Sequence, residues 1–228
     1  MGCGLKRQMA WGFFEKDEAQ CPCARQKGGG HIRGVGQTAN FYVNILGHGW
    51  GLACFVQQRQ MGLMMARVMG VRGEAVLDRA CDLGLAFQLA NIARDIAEDA
   101  AADRCYLPME WLAEFDVPPG RHMAPPFRPA LTTMAKRLCD ASERYEASAR
   151  VGAQALPKRS RWAVLAAAGI YGDIARKVRD LGAHAWDHRV HTSKREKLLW
   201  VARARAQAAE TPEPAGRKGL WSRAHLDG

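Results

Sequence analysis

Residues 82–99 read DLGLAFQLANIARDIAED, and this stretch decides the fold class of the chain. At about 100° per residue, four polar side chains of the stretch fall within roughly 80° of one another on a helix surface: Gln88, Asn91, Asp95 and Asp99. Apolar side chains fill the opposite side: Leu89, Ala93, Ile96 and Ala97. The stretch therefore predicts a helix with one polar face and one packed face.

Helical periodicity continues on both sides of this stretch. Glycine and proline separate the periodic segments, so we expect the end of an apolar helix over 62–69. Further helices are expected over 74–102, a short one from 108, 129–156, 160–181 and 193–209. Ser193 is the expected N-cap of the last helix, and Pro212 its stop. Because no segment from residue 62 onward has strand alternation, the predicted fold class is all-α.

The first 60 residues have a different composition. They are rich in glycine, and each glycine inside a helix costs about 1 kcal/mol relative to alanine. We expect a poorly structured segment there, with a short strand over 41–46 as one option. The predicted division is a low-structure segment over 1–60, a helical domain over 61–222 and a tail over 223–228, with fraying from residue 211 onward.

Composition and charge narrow the class of protein. Apolar residues make up 48% and charged residues 25% of 228, which is typical of one globular domain. The net charge is +10, but the basic residues lack the aromatic interleaving of single-strand binders, so we expect no nucleic-acid binding. Seven cysteines, an odd number, and no apolar run near the roughly 20 residues of a membrane span indicate a cytoplasmic protein.

The polar face suggests a metal site. Asp95 and Asp99 are four residues apart, and like charges at that spacing repel unless a divalent cation lies between them. Mg²⁺ suits this position because it binds one or two carboxylates together with water and substrate phosphates. Gln88 and Asn91 are candidate donors to metal-bound water or phosphate, and Gly84 leaves space for a bulky chain. The alternative is an ordinary solvent-facing amphipathic helix.

The order of these residues resembles a known family. Gln-x-x-Asn-x-x-x-Asp-x-x-x-Asp over 88–99, followed by RCYLP at 104–108, resembles the second aspartate-rich motif of squalene and phytoene synthases. Residues 62–72, Tyr171 and AWDHR at 185–189 continue the resemblance, which covers about 61–222 and is closer to bacterial phytoene synthases. Asp103 stands where a glycine is usual.

The resemblance implies part of the isoprenoid-synthase helical fold and a prenyltransferase of carotenoid biosynthesis, which joins two geranylgeranyl diphosphates head to head to form phytoene. It implies Mg²⁺ or Mn²⁺ as cofactor, with Asp95 and Asp99 as catalytic metal ligands. The substrate-binding residues it implies are Gln88, Asn91, Arg104, Tyr106 and Gly84. A plain surface role is the alternative for Arg104. Peripheral membrane association is also implied, since phytoene is an oil that must leave into lipid.

The chain departs from the family before residue 61. The family has a first aspartate-rich motif upstream, yet residues 1–60 contain one aspartate, Asp17, in a charged cluster with Glu15 and Glu18 that is typical of a solvated turn. We therefore expect impaired activity and exposed apolar side chains over 63–65. A frameshifted or rearranged N-terminal segment is our hypothesis for this change.

Two other functions stay open. One is a squalene synthase-type prenyltransferase that uses shorter chains. The other is a non-catalytic, basic helical protein that binds membranes or partners, for which residues 194–201 are the candidate surface. For that segment the pattern favours ordinary helix packing, because its basic residues precede the apolar ones.

Overall fold

The computed structural model describes residues 49–212 and 215–220, with side chains described from residue 57 onward. These residues form six α-helices: α1 (Gly49–Val68), α2 (Glu74–Ala101), α3 (Met109–Glu114), α4 (Arg128–Gly152), α5 (Lys158–Leu181) and α6 (Lys194–Gln207). Short 3₁₀ turns lie at Pro125–Phe127, Ala153–Ala155 and Gly182–His184. No strand occurs within the described ranges, which confirms the all-α prediction for them.

Helix α1 begins earlier than the sequence indicated. It starts at Gly49, so the predicted boundary at residue 60 falls inside a helix. Glycine density misled the prediction, because Gly49 and Gly51 lie in the first turn, where the backbone N–H groups have no partner within the helix in any case. The predictions for residues 1–48, including the strand over 41–46 and the charged cluster at Asp17, lie outside the described residues.

The other boundaries follow local signals that the sequence carries. Ser193 caps α6 as predicted: its hydroxyl accepts a hydrogen bond from the Glu196 N–H, and the Glu196 carboxylate accepts one from the Ser193 N–H. This reciprocal capping box satisfies two N–H groups at the helix start. Gly182, with φ of 53°, ends α5 where a stop was expected.

Helix α2 is central, because it packs against α1, α4 and α5. Its predicted apolar face is buried: Leu89 is 1% exposed, Ala93 0% and Ile96 4%. These side chains join the core with Leu131, Met134 and Leu138 of α4. Burial of these apolar side chains fixes the rotation of α2, and this rotation determines where the polar face of the helix lies on the domain.

A close crossing of α1 and α2 depends on two glycines. A β-carbon at Gly62 would overlap the carbonyl oxygen of Ala80, and one at Gly84 would overlap the carbonyl oxygen of Gln58. Backbone therefore fills the space beside Gly84, which corrects the expectation that this glycine leaves room for a bulky chain. The exposed side of α1 carries Met64 and Met65, as predicted for residues 63–65, whereas Leu63 packs against buried residues.

The described part of the tail, residues 215–220, is anchored instead of frayed. The Arg217 guanidinium binds the fully buried Asp82 carboxylate of α2 with N–O distances of 2.8 and 2.9 Å. Arg79 donates to the carbonyl oxygen of Ala215 at 3.1 Å, and Leu220 is buried in the core. Sequence composition indicated fraying because proline, glycine and arginine usually mark solvated ends, and the partner Asp82 is distant in the chain.

Asp103 occupies the left-handed backbone region, with φ of 54°, directly after the C-cap of α2. This is the position where glycine commonly ends a helix. The β-carbon is disfavoured there, and the carboxylate adds negative charge at the negative end of the helix dipole.

We expect Asp103→Gly to stabilise the chain by about 0.5–1 kcal/mol. Removing the backbone strain and the unfavourable charge should gain more free energy than is lost because glycine makes the unfolded chain more flexible. Thermal unfolding followed by circular dichroism should show Tm higher by about 1–4 °C. Asp103→Asn, which removes the charge but keeps the β-carbon, should give a smaller rise. A Tm for the glycine variant at or below that of the original chain would contradict the strain argument.

Candidate active site on the central helix

The polar face of α2 carries four of the predicted site residues on successive turns. Gln88, Asn91, Asp95 and Asp99 are all half-buried. The side chains of Asp95 and Asp99 are only 20% and 17% exposed, so the helix is not simply solvent-facing along this face. Such burial favours a constructed polar site over an ordinary amphipathic surface.

Guanidinium groups bind both carboxylates. Arg94 donates to the two oxygens of Asp95 at 2.7 and 2.6 Å, and Arg189 donates to one of them at 3.1 Å. Arg104 donates to Asp99 at 3.2 and 3.1 Å. Arg189 also pairs with Glu98 at 2.7 Å. Three arginines thus face three carboxylates, which leaves the site close to neutral.

Burial and pairing act on the ionisation of the site in opposite directions. Desolvation raises the pKa of Asp99 above its usual value, and the hydrogen bond from Arg104 partly opposes that rise. The pKa of Arg94 is raised chiefly by its hydrogen bond to Asp95. Arg94 therefore stays charged at every physiological pH.

Asn91 contributes an unusual atom. Its Oδ1 is buried and has no hydrogen-bond partner among the described residues. A buried amide oxygen without a donor costs about 1–3 kcal/mol, so such groups normally find a partner. Asn91 lies one turn before Asp95 on the same face of α2. A cation there, or a water molecule bound to that cation, would supply the missing partner of the amide oxygen.

Arg104 and Tyr106 meet Asp99 at a small pocket at the C-terminal end of α2. Its lining residues are Ile92, Ile96, Asp99, Arg104, Cys105, Tyr106, Leu107 and His122. The structure thus brings two predicted substrate residues to one of the predicted metal ligands. Gln88, Asn91 and Asp95 lie outside this pocket, farther back along α2, and Gly84 lies at the crossing with α1.

Sequence reasoning missed the residues that come from other elements. Tyr171 of α5 stacks on Phe87 of α2 with ring centroids 4.3 Å apart. The indole N–H of Trp186 donates to the carbonyl oxygen of Ala93 at 3.0 Å, which places Arg189 beside Asp95. The resemblance of Tyr171 and residues 185–189 to the family was the available signal, but no spacing rule links them to α2.

His122 had no sequence signal. It is 3% exposed, and its Nδ1 has no hydrogen-bond partner among the described residues. Burial lowers the pKa of this imidazole, so His122 is neutral at pH 7.

The oxygen donors of α2 fit a hard divalent cation. They are two carboxylates and one unpartnered amide oxygen, which is the donor type that Mg²⁺ prefers. Within the described ranges, no group of three or more His, Cys, Asp and Glu side chains is arranged to hold a metal. Asn91, Asp95 and Asp99 are the oxygen-bearing side chains of this face that could contribute to such a site.

The central helix of this all-helical domain thus presents carboxylates and guanidiniums together on one half-buried face. Residues 59–196 match the family model described as squalene/phytoene synthase. The chain belongs to the squalene/phytoene synthase family.

Relatives with curated names support this assignment. The chain is 51% identical over 176 residues to a phytoene synthase of Pseudescherichia vulneris, across 75% of this chain and 56% of that protein. It is 47% identical to a 15-cis-phytoene synthase of Pantoea ananas, with the same coverage of 75% and 56%. It is 50% identical to that of Enterobacter agglomerans, across 75% of this chain and 59% of the relative. The chain thus spans little more than half the length of these relatives.

Proposed function

We propose that this chain carries part of a prenyltransferase site that joins two geranylgeranyl diphosphates head to head to form phytoene. The observation that carries the proposal is the half-buried polar face of α2, where Asn91, Asp95 and Asp99 offer oxygen ligands. The similar proteins named phytoene synthase support the choice of substrate and product.

Mg²⁺, with Mn²⁺ as a substitute, is the proposed cofactor. Asp95 and Asp99 would hold it, and Asn91 Oδ1 would bind the ion or its water. When bound, such an ion supplies Lewis acidity to phosphoryl oxygens and so favours loss of diphosphate.

Arg94, Arg104 and Arg189 have a second role in this proposal. In the structure they neutralise Asp95, Glu98 and Asp99. If the carboxylates held cations, the guanidiniums would be free to donate hydrogen bonds to diphosphate oxygens, whose geometry matches the guanidinium fork. In this proposal the arginines keep the acidic face close to neutral before substrate binds, and their positive charge would then become available to the diphosphate.

The proposed activity is reduced relative to the family. No Asp-x-x-x-Asp occurs in residues 1–60, so the described carboxylates provide one side of the expected metal site. Fewer charge-stabilising contacts mean a slower ionisation of the substrate. We also propose peripheral association with a membrane, because the hydrophobic product must leave into lipid. No helix within the described residues is long and apolar enough to cross a bilayer.

Phytoene formation from radiolabelled geranylgeranyl diphosphate and Mg²⁺ tests the activity. We expect product from the original chain, and a loss of at least about a hundredfold in Asp95→Ala and Asp99→Ala, since removing such a contact typically costs about 10²–10³ in rate. Asp180→Asn is the matched control, because this α5 carboxylate is 70% exposed and lies outside the site.

Binding of Mn²⁺, measured by electron paramagnetic resonance, separates the site from the catalysis. Mn²⁺ binding that is lost in Asp99→Ala, without any product, would mean that the site is formed but the chain does not catalyse the reaction. Product from farnesyl diphosphate alone would assign the squalene synthase-type reaction instead. A folded chain that neither binds Mn²⁺ nor forms product would overturn the proposal.

A further inference from the structure

Helix α6 exposes two large apolar side chains that the sequence predicted to be packed. Leu198 is 70% exposed and Leu199 is 48% exposed. Trp162 of α5, which is 36% exposed, contacts the same helix, since its indole N–H donates to the carbonyl oxygen of Val201 at 2.8 Å. The expectation of ordinary helix packing was therefore wrong for these leucines.

The opposite side of α6 is the one that packs. Trp200 approaches Gly169 of α5 so closely that a β-carbon at Gly169 would overlap the indole ring. Ala204 is fully buried. Because these contacts fix the rotation of α6, Leu198 and Leu199 remain on the outer side of the domain.

Basic side chains flank the exposed leucines. Taking Lys194 as zero and about 100° per residue, Arg205 lies near 20°, Leu198 near 40°, Leu199 near 140° and Arg203 near 180°. Arg195 lies between the leucines, near 100°. The outer half of α6 is thus a leucine-bearing surface with a cation on each side.

Most of the charged residues of α6 are basic. It carries five basic residues and one acidic residue, a net charge of 5 − 1 = +4: Lys194, Arg195, Glu196, Lys197, Arg203 and Arg205. The single acid, Glu196, forms an ion pair with Lys177 of α5 at 2.7 Å and accepts the hydrogen bond from the Ser193 N–H at the helix start. Within residues 57–212 and 215–220, none of the five cations pairs with a carboxylate.

We propose that the outer face of α6, together with Trp162, binds the surface of an anionic lipid bilayer. Apolar side chains flanked by cations are the arrangement that places a helix in the plane of a membrane interface, with the cations at the headgroups. Long basic side chains such as Arg195 extend to the headgroups while their stems stay beside the apolar residues. Tryptophan is favoured at the same depth.

This surface deepens the proposed function, because it gives the peripheral membrane association a location. The observations favour lipid over nucleic acid, since the two leucines at the centre would lose water only against an apolar phase. They also disfavour a second copy of the chain, because two surfaces of charge +4 would repel each other.

Sedimentation of the full chain with vesicles tests the surface without any substrate. We expect binding to vesicles of equal parts phosphatidylcholine and phosphatidylglycerol, and little binding to phosphatidylcholine alone. Leu198→Ser with Leu199→Ser should weaken binding by at least about tenfold, because membrane affinity scales with buried apolar area. The matched control is Met64→Ser with Met65→Ser, where side chains of similar exposure, 58% and 47%, change on α1.

Charge reversal provides the second arm. Lys194→Glu with Arg205→Glu should weaken binding by at least about tenfold, whereas Arg72→Glu with Arg121→Glu, both exposed in connecting segments outside α6, should change it far less. Equal loss in the two apolar variants, or unchanged binding in the leucine variant, would overturn the assignment to α6. So would preferential binding of nucleic acid, or a dimer that the leucine variant converts to monomer. Because no product is measured, failure of the catalytic proposal would not alter this result.

Discussion

Arg217→Ala should destabilise the folded chain by about 3–5 kcal/mol at neutral pH, the usual cost of removing one partner of a buried ion pair. Asp82 is fully buried, and Arg217 binds both of its carboxylate oxygens, at 2.8 and 2.9 Å. Among the side chains that the structure describes, the Ser148 hydroxyl, at 2.5 Å, would remain as the donor to this carboxylate. Thermal unfolding should show Tm lower by about 10 °C.

The loss should depend on pH. Burial is the largest influence on Asp82 and raises its pKa above 3.8, while Arg217 and Ser148 partly lower it. Without Arg217 the pKa of this carboxyl rises further. A carboxyl with a raised folded pKa stabilises the fold below its unfolded pKa and loses that contribution as the pH rises through the folded value. The deficit of Arg217→Ala should therefore be smallest near pH 4 and should grow toward neutrality.

Two variants check the cause of this loss. Lys218→Ala removes a neighbouring exposed cation and should leave Tm nearly unchanged. Asp82→Asn combined with Arg217→Ala removes both charges and should recover part of the stability at neutral pH. If Arg217→Ala unfolds at the same temperature as Lys218→Ala at every pH, then the anchored tail does not stabilise the domain.

Gly84→Ala should cost about 1–3 kcal/mol or more, since overpacking a close contact forces the surrounding structure to move. The added methyl group would overlap the carbonyl oxygen and carbon of Gln58, and a backbone atom cannot rotate away as a flexible side chain can. Relief therefore requires α1 to shift from α2. We expect Tm lower by about 2–12 °C and faster hydrogen exchange in α1.

Gly216→Ala is the matched control for this substitution. A β-carbon there would meet nothing within 4 Å, so the expected change in Tm is close to zero. A Gly84→Ala chain with an unchanged Tm would mean that α1 is free to move at no cost. That result would contradict the close crossing of the two helices.

The helices themselves were largely predictable from the sequence, because the signals that begin and end them act over a few residues. The capping box at Ser193, the glycine after α5 and the apolar period of α2 are all local. The start of α1 was not predictable, since glycine in the first turn costs less than the composition of residues 1–60 suggested.

The candidate site was only half predictable. Asp95 and Asp99 follow from spacing on α2, but the partner Arg189 lies 94 residues away from Asp95 in the chain. The same distance in sequence hid the role of the tail, because Arg217 and Asp82 are 135 residues apart. No periodicity or composition links such residues.

Sequence by itself determined the fold class, the family resemblance and the order of the polar side chains along α2, since these depend on neighbouring residues and on helical geometry. Only the tertiary structure decided which faces are covered. In the folded chain Gly84 lies at the crossing with α1, and guanidinium groups pair with the carboxylates of α2. Leu198 and Leu199 remain exposed on the surface of α6. The physical reason is that burial and charge pairing depend on how helices distant in the chain pack together, and packing is decided by the whole set of contacts at once.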